Sequence, residues 1–154
     1  TEILARFRAD DIEIAKNKED RDYRRSYVAV NVDTDKPFYV STHDPKIDGI
    51  RAQIMQHRKY YEFELTQRVV EIFEEKTAKR EECIMLDVGA NIGWFSLVAA
   101  AHGASKVYSF EPNLQNTVRF CESLSLNRWL HDDRSQDFVM PIAKGVGKKE
   151  ETKT

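Results

Sequence analysis

The sequence predicts an α/β fold: the β-α-β-α-β half of a doubly wound parallel sheet, preceded by a β-hairpin and helices. Three observations carry this expectation. Residues 83–88, Cys-Ile-Met-Leu-Asp-Val, form a nearly continuous apolar run that opens onto the glycine turn Gly89-Ala90-Asn91-Ile92-Gly93 and then a helix-forming stretch. A second β-rich run, Lys106-Val-Tyr-Ser-Phe110, ends in Glu111, and a third, residues 138–143, follows another helical stretch. Short links between alternating strands and helices demand parallel strands with right-handed crossovers. All the loops after the strands then open at one edge of the sheet, where ligands sit in such folds.

At 154 residues the chain has the length of one domain. Apolar residues make up 41% and charged residues 32%, a globular balance. A net charge of −2 gives no general attraction to phosphate backbones or anionic membranes, so no nucleic-acid partner is expected. No apolar run approaches the roughly 20 residues needed to span a bilayer, and no secretory signal opens the chain. Cys83 and Cys121 fall in patterned elements, where a thiol behaves as a small hydrophobe. Two cysteines make no disulfide framework, and a metal site would need more ligands nearby, so no metal is expected and a reducing cytoplasmic setting is favoured.

Taken in order, residues 1–25 are charge-dense, with apolar positions at Ile3, Leu4, Phe7, Ile12 and Ile14 that allow some helix. The β-rich runs 27–32 and 37–41, joined by Asp33-Thr-Asp-Lys36, read as a β-hairpin that lids or flanks the main domain. His43-Asp-Pro45 and Asp48-Gly49 punctuate the turn into a helical region, and residues 1–58 together form an N-terminal extension. Leu65, Val69, Ile72 and Phe73 recur at the spacing of one helix face, placing an amphipathic helix at about 59–78. The first strand, 83–88, has the continuous apolar character of a strand covered on both faces. Helix 92–102 stops at Gly103, strand 106–110 follows, and a helix runs from about 113 to 127 with Asn113 as N-cap and Leu114, Val118, Cys121 and Leu124 inward. Pro141 marks the third strand as an edge or bulged strand. Residues 59–147 thus form half a domain. The polar tail 148–154 has no closing element, so the expectation is an N-terminal piece of a longer protein whose remaining half lies downstream.

The glycine turn and the acid beyond it define a nucleoside site, and its details choose the nucleoside. A dinucleotide turn, G-x-G-x-x-G, needs a second glycine that lets a pyrophosphate approach and a third for close packing. Here Asn91 and Trp94 stand at those places, which argues against NAD, and no Gly-Lys-Ser/Thr follows to make a phosphate loop. S-adenosylmethionine suits the same residues. Asp87 can orient the turn and attract the methionine ammonium, directly or through water. Gly89 permits close approach of the ligand, and the amides of Gly89-Ala90-Asn91 through Gly93 lead into a helix start that can receive the carboxylate. Glu111 can accept hydrogen bonds from both ribose hydroxyls, with Pro112 and Asn113 along the adenine.

These residues resemble the class I methyltransferases, and within them the FkbM-like family. The matching stretches are Leu86-Asp-Val-Gly-Ala-Asn-Ile-Gly-Trp-Phe-Ser96 and Tyr108-Ser-Phe-Glu-Pro-Asn113, with Asn116 and Leu126-Asn127 further on. The resemblance spans about residues 27–147 and is strong in 84–127. It implies a partial Rossmann-like methyltransferase fold, S-adenosylmethionine as cofactor, and methyl transfer to a hydroxyl of a small-molecule natural product, a glycan sugar or a lipid. Complete domains of that family carry further strands and helices that supply the acceptor pocket and any base. The catalytic residues are therefore not identified within this chain, and the fragment alone is expected to be inactive. The alternative is a non-catalytic nucleotide-sensing or interaction module on the same fold.

Other residues have plainer readings. Asn91 suits a turn and Glu62 a solvated helix end or the cofactor edge. Trp94, Phe95 and Leu97 suit helix–sheet packing. His102 suits a helix C-terminus, and His43, His57 and His131 have no visible partners in the sequence.

Overall fold

The computed structural model describes residues 27–32, 35–43, 49–50, 53–54, 60–130 and 138–148. The helix allowed within residues 1–25, the loop at 132–136 and the tail beyond residue 148 lie outside these. Strands β1 (Tyr27–Val32) and β2 (Phe38–Thr42) form an antiparallel hairpin, with Val30 opposite Val40 and Val32 opposite Phe38. Helix α1 (Phe63–Ala78) precedes the second sheet. There, β3 (Ile84–Val88), α2 (Trp94–Ala101), β4 (Lys106–Phe110), α3 (Leu114–Leu126) and β5 (Val139–Ile142) alternate, and the strands pair in parallel in the order β3-β4-β5. Ile84 lies beside Lys106 and Val88 beside Phe110, and Phe110 lies in turn beside Ile142.

Helix α2, Trp-Phe-Ser-Leu-Val-Ala-Ala-Ala, is apolar nearly all round, the composition of a helix with no solvent face. The structure gives it that environment. It packs on β3 and β4 below, α1 beside and β2 above, and Leu97, Val98 and Ala99 are wholly buried. Trp94 sits where these layers meet, its ring tilted against Phe38 at 5.7 Å and edge-on to Tyr61 at 6.1 Å, while its indole N–H donates to Thr66 Oγ1 at 2.9 Å. That anchor orients α1. Its covered stripe is Thr66, Val69, Val70 and Phe73, so Leu65 and Ile72, expected on the inner face, lie on the solvent side.

The hairpin flanks the helices rather than the sheet. The free edge of β2 runs along α3, whose side chains satisfy its backbone: Asn127 accepts from the Tyr39 N–H at 2.8 Å and donates to the Tyr39 carbonyl at 2.7 Å, and Ser123 Oγ accepts from the Ser41 N–H at 2.8 Å. An edge strand otherwise presents unpaired backbone to any passing chain; here a helix closes it.

The second sheet is covered on one face. Val107, Val139, Asp87 and Ser109 point to the helices and are buried, whereas Ile84, Leu86 and Val88 on the opposite face are 58%, 67% and 63% exposed. The apolar run of β3 predicts cover on both faces, and the described residues supply it on one. Pro141 in β5 pairs opposite Ser109 on an edge strand of the described sheet, the place its missing N–H requires.

Candidate functional site

The register of β3 and β4 brings the sequence-predicted site residues together at the carboxyl edge of the sheet. Beyond Val88 the chain turns, and the Gly89 and Ala90 amides both donate to the Phe110 carbonyl, at 2.9 and 3.0 Å. This fastens the turn to the end of β4. Gly89 has φ +84°, a conformation that costs an L-residue with a side chain, and no atom lies within 4 Å of where its Cβ would stand. Gly93, also left-handed at φ +85°, serves a different purpose: a Cβ there would meet the Phe120 ring at 2.0 Å. It is the close-packing glycine that lets α3 press against the start of α2. Asn91 takes φ +53°, in keeping with its turn-forming reading.

Two buried carboxylates lie behind this turn. Asp87 Oδ2 accepts from the Ser96 N–H at 3.1 Å and from Ser96 Oγ at 2.6 Å, and Ser96 Oγ contacts Ser109 Oγ at 2.7 Å. Asp87 therefore caps α2 from the neighbouring strand and fixes the direction of its N-terminus. Burial pushes its carboxyl above the ordinary range, the Ser96 hydrogen bonds oppose this, and the Glu111 charge adds to it. Glu111, 8% exposed, bridges the two halves of the site. Its Oε2 accepts from the Asn91 N–H at 2.8 Å, and its Oε1 accepts from the Asn113 N–H at 2.8 Å and from Asn116 Nδ2 at 3.5 Å. A carboxylate offers about four lone-pair positions, so the protein leaves acceptor capacity on Glu111.

The amides of the turn differ in their partners. Asn91 N–H is taken by Glu111, Gly93 N–H by the Ala90 carbonyl at 2.7 Å and Ser96 N–H by Asp87. Among the described residues no acceptor faces the amides of Ile92, Trp94 and Phe95. The amides without a protein acceptor thus lie in the last segment of the turn and the first residues of α2. Pro112 and Asn113 follow Glu111 on the exposed rim; Asn113 caps α3 by accepting from the Gln115 N–H at 2.9 Å, and Gly145 lies beside Pro112.

Side chains to which the sequence assigned no site role complete the arrangement. Ser96 holds Asp87 and is itself met by Ser109, and Asn116 and His43 extend from Glu111 toward the hairpin, with His43 Nε2 2.9 Å from Asn116 Oδ1. No group of three His, Cys, Asp or Glu side chains among the described residues is arranged to hold a metal ion, and no described helix is long and apolar enough to cross a membrane.

Comparison with solved structures fixes the fold. A SAM-dependent methyltransferase from Agrobacterium tumefaciens superposes with a TM-score of 0.52 at 15% identity, over 77% of this chain and 33% of that one. A provisionally assigned RNA methyltransferase from Pyrococcus horikoshii gives a TM-score of 0.42 at 16% identity, over 57% of this chain and 40% of that one. The first likeness establishes an α/β, Rossmann-like methyltransferase fold, represented here by three parallel strands and their helices. The chain spans between a third and two-fifths of the length of these structures. No family model and no curated protein sequence matches it.

Proposed function

We propose that this chain is the donor-binding half of an S-adenosylmethionine-dependent methyltransferase, FkbM-like, that transfers a methyl group to a hydroxyl of a sugar, lipid or natural product. The observation that carries the reading is Glu111. It stands at the carboxyl end of β4, buried, held by the Asn91 and Asn113 amides and by Asn116, with acceptor capacity left for a ribose hydroxyl. An acid at this strand end suits the ribose of any nucleoside; Asn91 and Trp94, at the glycine places of a dinucleotide turn, are what disfavour a pyrophosphate.

The donor brings a methyl carbon already electrophilic on a sulfonium, so the protein's task is alignment. Glu111 would hold the ribose. The amides at the start of α2, whose axis Asp87 fixes, would receive the methionine carboxylate. Asp87 would attract the ammonium, and Pro112 and Asn113 would flank the adenine. Positioning of the acceptor falls to a further α/β segment of the same protein. Such a segment would pair with the outer edge of β3 and cover Ile84, Leu86 and Val88, which this half leaves in water.

Replacing Glu111 with Ala is expected to weaken S-adenosylhomocysteine binding by about 1–3 kcal/mol, the range for stranding polar partners. Isothermal titration checks it, and unchanged affinity removes Glu111 from the ribose role. NADH competing better than S-adenosylhomocysteine would overturn the donor assignment. For a longer form of the protein, methyl transfer to sugar or lipid hydroxyls is expected; transfer to RNA alone would replace that acceptor class.

A further inference from the structure

The hairpin reaches into the site. Strand β2 lies along α3 with Tyr39 at Asn127 and Ser41 at Ser123, and His43, the residue after the strand, meets Asn116. The geometry of the two elements explains why they stay in step. Four residues of strand advance about 13 Å, and the eleven residues from 127 back to 116 advance about 16 Å along a helix. Positions 116, 123 and 127 share one helix face. The strand therefore runs towards the amino end of α3 and delivers His43 beside the residues that hold Glu111.

The direction of the hydrogen bonds follows from chemistry. A carboxylate only accepts, so Asn116 must turn its Nδ2 to Glu111 Oε1, at 3.5 Å. Its Oδ1, an acceptor only, then faces His43, and the 2.9 Å contact requires that His43 donate from Nε2. The chain His43 Nε2–H to Asn116 Oδ1, Asn116 Nδ2–H to Glu111 Oε1 has one polarity, and successive bonds of one polarity strengthen each other.

We propose that His43 is a positioning residue for the ribose end of the donor site: it fixes the Asn116 amide, which with the Asn113 N–H sets the direction of the Glu111 carboxylate. The N-terminal hairpin is thereby part of the donor site. This rests on the reading of Glu111 as the ribose acceptor, and the experiment separates the two.

The test titrates the full 154-residue chain with S-adenosylhomocysteine and with its counterpart lacking both ribose hydroxyls. His43→Ala is expected to weaken the first ligand about 3- to 10-fold, as for loss of one hydrogen bond, and the second less than about 2-fold. His43→Gln, which keeps a donor near the Nε2 position, restores the affinity. Asn116→Ala, cutting the chain at its other joint, gives the same ribose-dependent loss, and adding His43→Ala to it costs nothing more. This second variant answers the question if His43→Ala does not fold. Equal losses for both ligands, or no loss for either, overturn the role of His43 while leaving Glu111 in place. If the unaltered chain binds the two ligands equally, the ribose assignment of Glu111 falls and His43 with it.

Discussion

Asp87 and Glu111 meet the same turn in different ways, and the difference has consequences for pH. Burial holds the Asp87 carboxyl above its ordinary value of 3.8. A group that keeps its proton more tightly when folded favours the folded state where it is protonated. Its contribution therefore falls as pH rises from the ordinary value through the raised one. A methionine ammonium favours the ionised form, so ligand affinity should run the other way. We predict that S-adenosylhomocysteine binding weakens as pH falls through the raised Asp87 value and that binding in that window releases a proton. Calorimetry in two buffers of different ionisation enthalpy measures the release, and Asp87→Asn should abolish it. Gly93 is tested through packing. Gly93→Ala forces a Cβ into the Phe120 ring at a positive φ, and a loss of about 2–4 kcal/mol is expected in urea unfolding. The acids at strand ends and the glycine turn were legible in the sequence because local patterning places them. The Asn91–Glu111 bond was not, since it depends on how far the turn folds back. Nor was the His43–Asn116 contact, which joins residues 73 apart.

Elements were easier to read than faces. The spacing of apolar residues located β3, β4 and α3 to within a residue or two, and Pro141 marked the edge strand. The inner face of α1 was misjudged because its deciding contact is polar: Thr66, hydrogen-bonded to the Trp94 indole, turns inward, and Leu65 and Ile72 turn out. A hydrophobic count cannot detect a threonine chosen for its hydroxyl. The docking of β2 was equally hidden, because it uses the polar side chains of Ser123 and Asn127 on a helix whose apolar stripe faces elsewhere. This gives a prediction at the scale of the element. Asn127→Ala removes both bonds to the Tyr39 backbone and should cost about 1–3 kcal/mol. Limited proteolysis should then cut the hairpin before the β3–β5 unit, and simultaneous cleavage would show that the hairpin does not depend on this clamp.

For the whole molecule, the exposed face of β3 governs behaviour in solution. Fully burying side chains such as Ile84, Leu86 and Val88 would be worth about 1.5–3 kcal/mol each, which favours any partner able to cover them. Leu86→Lys should therefore reduce self-association of the 154-residue chain in sedimentation velocity while shifting its unfolding free energy by less than about 0.5 kcal/mol. In a longer form whose further segment covers this face, the same change should be strongly destabilising. The docked hairpin has a consequence in time. Tyr39 must wait for Asn127, 88 residues later, whereas Ile84 pairs with Lys106 after 22. At roughly 5–20 residues per second on the ribosome, the hairpin stands without its helix for about 4–18 s. The earliest of the described strands are thus among the last to find their place, and α3 completes both the docking of the hairpin and the cluster around Glu111 in one step of synthesis.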